Sequence, residues 1–490
     1  MMAVLVGLMV AMHLAMPGPI PSGADGGNWL AIARGRLGVD VMASDVSYPI
    51  VFPALLSVGI GILGAVPALV ACALLAKGLL VLAIYLCVRP LGRWYAAGAA
   101  LLCGFAGAQL EAYAWGGYPQ LLGTAFALLA VFLTLRWLAD LRGWLLFLAL
   151  VMGLLTFATH ALIGGLLLFA LPLAALHWLL VVHAPTREWL AAVVGVGLVG
   201  LPGGVYVILN RVAGAESGVT AVLNPYDIGL LESIQLAARD AALPWALVVA
   251  VALLALATKR LDRLRATTLA SGSAWMTAGL LFFLVTGEAR ALLVTQIGVV
   301  LLAALAVQRI LIWLRNQRLR PGSSMVRRLA FPLSATLLIS MISAIVVGGL
   351  VAYSAAITWY RVADESTLAA LDWLENNSQS EDLSATSAGP NGNPLGWWVQ
   401  GYGLRRSYTG IDVRALSFPD ERSQAEIANR IFDPSSSESE VRALIEENGI
   451  DFLIVDRRGG DLRWLGGNVA QSFTKLYDTP PVVILDARSG

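Results

Sequence analysis

Residues 17–53 read PGPIPSGADGGNWLAIARGRLGVDVMASDVSYPIVFP, and this stretch lies between two apolar runs, 2–16 and 50–64. Helical spacing over 28–37 puts Trp29, Ile32, Ala33 and Leu37 on one face and Arg34 off it. That pattern predicts an amphipathic helix lying on a membrane surface. Tyr48-Pro49 and Phe52-Pro53 then mark the chain re-entering the interface. The topology turns on whether 50–64 crosses the bilayer or stays beside it.

Charge decides this. Lys and Arg concentrate in the cytoplasmic turns of membrane proteins. A crossing needs about 20 apolar residues. Spans are expected at 2–16, 67–88, 94–110, 120–138, 143–159, 161–182, 189–209, 243–258, 266–286, 291–313 and 329–353, about eleven transmembrane helices. With the N-terminus inside and 50–64 left out, one side collects Arg89, Arg93, Arg136, Arg142, Arg187, Lys259, Arg260, Arg263, Arg265, Arg315, Arg318, Arg320, Arg327 and Arg328. The other side receives Arg34, Arg36, Arg211, Arg239 and Arg290 before the last span. Counting 50–64 as a crossing puts Arg89 and Arg93 outside and spoils the asymmetry. We therefore expect 50–64 to be a juxtamembrane or re-entrant helix, the N-terminus to be cytoplasmic, and the C-terminal domain to be extracytoplasmic. Span 2–16 rises only ~22 Å at 1.5 Å per residue, short of the hydrocarbon core. It either sits against other helices or begins upstream; without a basic residue before it, a cleaved signal peptide is not expected.

Composition agrees with a multi-pass protein of the plasma membrane. Of 490 residues, 58% are hydrophobic and 13% charged, against about 25% charged in soluble domains. The charge shortage is confined to the first part of the chain. The expected organisation is a membrane domain over 1–358, with outside loops at 17–66 and 210–242, and a soluble α/β domain over 359–490. A net charge of +1 gives no field for nucleic acid. Cys72, Cys87 and Cys103 all lie in apolar segments and are expected to be buried small hydrophobes.

Polar residues gather at the outside ends of the spans, which predicts an outward-facing cavity. Asp25 either caps the surface helix or serves as a general base. Asp40 and Asp45 are expected as solvated loop acids. Glu111–Gln120 reads EAYAWGGYPQ, expected as a loop at headgroup level with Glu111 either snorkelling or hydrogen-bonded at the interface, or in a catalytic or metal role. His160 follows Thr159 at the mouth of a span and is either an interfacial histidine or a ligand. Arg290 either pairs with Glu288 or holds phosphate through its planar fork. Loop 210–242, with Asn224–Ile228, reads as a candidate lid. His13 and His177 are expected to pack between helices. No P-loop, GxGxxG, HExxH, GxSxG or paired CxxC occurs. No motif supports a divalent metal, and no cofactor is implied.

The run Asp25–Gly35 followed by Tyr48–Pro53 resembles the first outside loop of the GT-C class of glycosyltransferases, polytopic enzymes that use polyprenyl-phosphate-linked sugars. Glu111–Gly123 is similar to the second outside loop of bacterial and archaeal members, and Thr159-His160 and Arg290 recur at similar places. Gly396–Tyr402 and Gly449–Asp456 look like parts of the outer domains these enzymes carry. The resemblance implies a GT-C-like membrane domain. It implies Asp25 as the base, Arg290 and His160 on the donor phosphate, and Glu111, Trp115, Tyr118 and Gln120 on the substrate side. The implied partners are a polyprenyl-phosphate-linked donor, membrane lipid, and a glycan, lipid or protein acceptor. Trp397-Trp398 is followed by Val399 and the second loop lacks Asp-x-Asp. The oligosaccharyltransferase pattern is thus incomplete, and neither a required metal nor an Asn acceptor is implied.

In the soluble part, Asp364 is expected to cap a helix over 364–376 with Leu368, Leu371 and Leu374 inward. Phe452–Val455 and Val482–Leu485 read as buried strands, with a helix over 437–448. Trp397, Trp398 and Tyr402 either fill the core of this domain or stack on a sugar. Two other functions compete with sugar transfer. A lipid or polysaccharide transporter or flippase should show repeated halves and polar groups at the midplane, which are not found. A non-catalytic envelope-polysaccharide assembly protein is the third.

Overall fold

The computed structural model describes residues 20–21, 23–39, 49–105, 107–216, 261–286, 290–318, 347–351, 353–358, 360–388, 395–410, 419–458 and 462–488. Expected spans 2–16 and 243–258, most of 329–353, and His13, Asp40, Asp45, Tyr48, Asn224–Ile228 and Glu288 lie outside them.

The described helices, in chain order, begin with α1 Ala24–Gly35, α2 Val51–Leu63, α3 Ala65–Val88, α4 Arg93–Gly104 and α5 Gly107–Trp115. They continue with α6 Tyr118–Asp140, α7 Gly143–Phe157, α8 Ala161–Val181, α9 Thr186–Glu216, α10 Arg263–Thr286 and α11 Arg290–Arg318. Six described helices (α3, α6, α8, α9, α10 and α11) contain segments long and apolar enough to cross a membrane. Leu190, Val193 and Leu201 on α9 stand 66%, 71% and 63% exposed, as expected where acyl chains replace water as the neighbour.

Local chemistry sets the helix ends. Pro119 lies in the first turn of α6, where its missing N–H costs nothing. That helix stops at Leu141, which is left-handed and donates its N–H to Trp137. Gly64 (φ 84°) breaks the chain between α2 and α3. The 13 residues of α2 rise only ~20 Å, less than the hydrocarbon thickness. Its start is pinned where the Val51 N–H donates to Ala158 O, 2.8 Å away.

Two expectations are corrected here. The run 94–110 is not one helix: α4 ends at Gly104 and α5 starts at Gly107. The stretch read as the second outside loop is therefore helical as far as Trp115, with a glycine hinge at Gly116-Gly117 before α6. The helix expected to lie on the membrane surface, α1, also does not lie open on lipid. Trp29, Ile32 and Ala33 are 5%, 7% and 0% exposed, enclosed by protein, and Leu37 falls beyond the helix end and is exposed.

The C-terminal unit begins with α12 Glu365–Asn377, β1 Leu383–Thr386, α13 Gly396–Gly401 and β2 Arg406–Ser407. It continues with α14 Pro419–Ile431, α15 Glu438–Asn448, β3 Phe452–Asp456, α16 Leu462–Leu465, α17 Asn468–Gln471, β4 Thr474–Thr479 and β5 Val482–Asp486. Asp364 caps α12 by accepting from the Thr367 N–H at 2.8 Å, and Ser437 caps α15. The five strands run in the order β2-β1-β3-β5-β4, with β1 parallel to β2 and β3 and the pairs of β5 antiparallel. Strand alternation divides the core in two. Phe452, Ile454, Val482 and Ile484 join Leu368, Leu371 and Leu374 in an apolar mass continuous with the membrane bundle. Leu453, Val455, Val483 and Leu485 face a second core formed with α14 and α15.

One polar knot ties β3 to the start of α12 and the residues just before it. Arg458 pairs with Asp456 and Asp364 and donates to Val362 O and the Thr367 hydroxyl, both at 2.9 Å. The Asp456 side chain is fully buried and Arg458 is partly exposed. Arg458→Ala removes the ion pairs with Asp456 and Asp364 and the bonds to Val362 and Thr367 together. The expected cost is roughly 2–4 kcal/mol, reduced from the fully buried case by the exposure of Arg458. Thermal unfolding of the variant should begin several degrees lower; an unchanged midpoint would show that the knot is redundant.

Candidate active site

The site forms where α1 meets the hinge between α5 and α6. Asp25 lies in the first turn of α1, whose N-cap residue is Gly23, and no side chain caps that helix. The capping role expected for Asp25 is therefore corrected: its carboxylate is left for other work. Trp29, one turn on, donates its indole N–H to Gly116 O at 2.7 Å. Gly116 has φ 98°, and a methyl there would stand 2.9 Å from the Asp25 Cβ. Only glycine permits both the left-handed turn and this approach. Ser57 of α2 donates to Ala33 O at 2.9 Å, holding the far end of α1.

Asp25 is surrounded by protein yet keeps part of its surface open. Burial pushes its carboxyl up to about 7, against the opposing pull of the Arg290 guanidinium. A carboxylate tuned to this range accepts a proton more readily than an ordinary aspartate. Arg290 is the first residue of α11 and is exposed. It stands at a helix N-terminus, where backbone N–H groups add to its positive charge.

His160 precedes α8 at its N-cap position, with extended backbone. A methyl at Gly123 would come within 3.1 Å of the His160 Cβ, so α6 and the start of α8 touch here. Burial first and Arg290 second push the imidazole down to about 3. It is neutral near pH 7, which narrows any part in phosphate binding to hydrogen bonding. Arg290 thus lies within electrostatic reach of both Asp25 and His160.

Aromatic rings wall this group. Tyr118 is buried and lies within charge reach of Asp25. It packs on Tyr113 (ring centroids 5.5 Å apart) and on Phe52 (6.3 Å), and Trp29 meets Phe52 edge-on. Tyr353 joins Tyr113 at 6.4 Å.

The remaining expected residues form a second patch. Glu111 lies on α5 and accepts from the Tyr360 hydroxyl at 3.2 Å. Trp115 meets Tyr360 edge-on at 6.0 Å. Gln120 is buried in the first turn of α6, its carbonyl accepting from Thr124. Structure therefore groups Asp25, Arg290, His160 and Tyr118, and sets Glu111 and Trp115 beside Tyr360. Among the described residues, no three His, Cys, Asp or Glu side chains gather as a metal site.

Sequence reading passed over two elements. Tyr353 ends the last expected span and Tyr360 lies seven residues beyond it, and neither carried a motif. Lys77 was visible as a cation inside an expected span, the setting that marks functional candidates, and it qualifies the expectation that polar groups keep to the outer boundary. It is fully buried, and its ammonium donates to Gln109 O at 3.0 Å. Gln109 in turn donates to Leu293 O at 3.1 Å, one turn below Arg290. This relay joins α3, α5 and α11 and steadies the helix that carries Arg290. His177 meets Ser273 at 2.6 Å between α8 and α10, a helix-packing role as expected.

No family model matches the chain, and no curated protein matches its sequence. Solved structures do match its fold. The archaeal oligosaccharyltransferase AglB from Archaeoglobus fulgidus, in complex with an inhibitory peptide and a dolichol-phosphate, is 11% identical with TM-score 0.58, over 99% of this chain and 74% of that one. ArnT from Cupriavidus metallidurans, bound to undecaprenyl phosphate, is 14% identical with TM-score 0.54, over 100% and 98%. The arabinofuranosyltransferase AftD from Mycobacteria is 16% identical with TM-score 0.58, over 100% of this chain and 41% of that one. The chain has the fold of GT-C glycosyltransferases: a multi-pass helical membrane protein with a small C-terminal α/β unit.

Proposed function

We propose that this protein is a membrane glycosyltransferase that moves a sugar from a polyprenyl-phosphate donor to an acceptor hydroxyl on the extracytoplasmic face, inverting the anomeric carbon. The observation that supports the reading is a carboxyl at Asp25, largely enclosed by protein and pushed up to about 7, within electrostatic reach of the cation Arg290. In the proposed step the acceptor oxygen attacks the anomeric carbon from the face opposite the phosphate. The acceptor O–H proton passes to Asp25, and the bond from the anomeric carbon to the phosphate oxygen breaks. Polyprenyl phosphate departs with the bonding pair. Arg290 offsets the charge that grows on it, and His160 contributes hydrogen bonding from a neutral ring. Tyr118, Trp115, Glu111 and Gln120 lie on the substrate side.

The reading predicts a pH profile. Protonated Asp25 cannot accept the acceptor proton, so donor kcat/KM should rise with pH along a one-proton limb and level off above about 7. The experiment follows release of polyprenyl phosphate from labelled donors by the purified protein in nanodiscs. Donor moved across a vesicle bilayer without release would favour a flippase, and binding with neither would favour an assembly protein.

The proposed topology has about eleven crossings, a cytoplasmic N-terminus and residues 359–490 outside. Arginine asymmetry supports it. Cysteine placed at the exposed Ser439 should react with an impermeant maleimide in intact cells, while one at Arg142 should react only after lysis. The reverse pattern would overturn the orientation.

A further inference from the structure

The first outside helix is clamped by the C-terminal unit at three points. Trp398 donates its indole N–H to Gly23 O at 3.2 Å, two residues before Asp25. Its ring is fully buried and lies over Gly26, where a methyl would come within 2.9 Å of it. Gly27 and Gly401 bring α1 and α13 together backbone to backbone, and a side chain at either would overlap the opposite helix. Arg34 donates to Tyr402 O at 3.0 Å. Gly116 also packs close to Asp25, where an added methyl would stand 2.9 Å from the Asp25 Cβ.

Neighbouring Trp397 behaves differently. Its backbone N–H bonds to Gly410 O within its own unit, and its ring packs on the second core. Trp398 packs instead in the apolar mass shared by the C-terminal unit and the membrane bundle, and gives its indole N–H to the N-cap residue of the helix that carries the carboxylate. The expected core role thus holds for the ring of Trp398, while its indole N–H reaches out of its own unit to Gly23.

We propose that Trp398 and Gly401 are positioning residues for Asp25, through which the C-terminal unit holds the carboxylate where it meets the acceptor proton. The proposal rests on the catalytic reading of Asp25. Trp398 acts through the Gly23 carbonyl and the Gly26 backbone, and Gly401 sets the distance between α1 and α13. The C-terminal unit is then part of the working site and not only a cover for it.

Trp398→Phe keeps an aromatic ring and removes the N–H donor. The full chain in nanodiscs is assayed with undecaprenyl-phosphate-linked pentoses and hexoses. Since small displacements of a catalytic group cost large factors in rate, kcat should fall about tenfold with donor KM held within about twofold, and the acid limb should move. Wild-type kcat and pH profile, with only a lower unfolding temperature, would make Trp398 a structural plug and overturn the proposal. A second measurement needs no substrate. In an Asp25→Cys background, a small charged methanethiosulfonate should modify the thiol about fivefold faster once Trp398→Phe is added, because the loop opens more often. Equal rates would overturn the clamp. Gly401→Ala should act in the same direction as Trp398→Phe. Asp25→Asn with full turnover would remove both the catalytic reading and the positioning role. An inactive Asp25→Asn beside an unaffected Trp398→Phe would remove the positioning role alone.

Discussion

Asp25→Asn should lower sugar transfer by about 10²–10⁴-fold, the range that a positioned general base contributes. The substitution is nearly isosteric, so the clamp of Trp398, Trp29 and Gly116 around the first turn of α1 should survive it. Burial works against the charged carboxylate, so removing the charge relieves a desolvation penalty. The variant should therefore unfold at the wild-type temperature or slightly above it. Loss of rate with retained or raised stability separates a catalytic carboxylate from a structural one. Donor binding should persist, because phosphate recognition is assigned elsewhere. A variant that transfers sugar at the normal rate would end the proposed mechanism.

Arg290→Ala should cost about 10²–10³-fold in kcat/KM for the donor, as for other groups that stabilise charge on a departing anion. A second effect distinguishes it from general damage. Arg290 draws the carboxyl of Asp25 downward, against burial. Without that cation, the carboxyl needs a higher pH to lose its proton, so the acid limb of the profile should move up. Arg290→Lys should recover the position of the limb more fully than the rate, since an ammonium keeps the charge and loses the planar fork. A fall in rate with an unmoved limb would place Arg290 away from Asp25.

Six of the expected spans were legible, because long apolar runs have few alternatives in a bilayer. The cap at Asp364, the strands at Phe452–Val455 and Val482–Leu485, and the inward leucines of α12 were legible because capping and alternation are local rules. The split of 94–110 was harder to see. Gly104 and Gly107 stand in a continuously apolar stretch, where composition alone does not mark a break. Lys77 was readable as an oddity, but its acceptor at Gln109 and the link to Leu293 come from three separate helices.

Sequence was enough to point to a multi-pass membrane protein, to an expected arginine asymmetry between its turns, and to Asp25, Arg290 and His160 as residues worth testing. Those properties follow from hydropathy, charge and short motifs, which act over a few residues. Tertiary structure decided that the helix beginning at 24 is buried and not spread on lipid. Its partners Trp398 and Tyr402 lie some 370 residues away in the chain, with Trp398 and Gly23 separated by 375 positions. No periodicity within 28–37 encodes whether lipid or protein covers an apolar face, because both environments reward the same side chains. Folding chose protein here, and by doing so brought the C-terminal unit up against the first turn of α1, which carries Asp25.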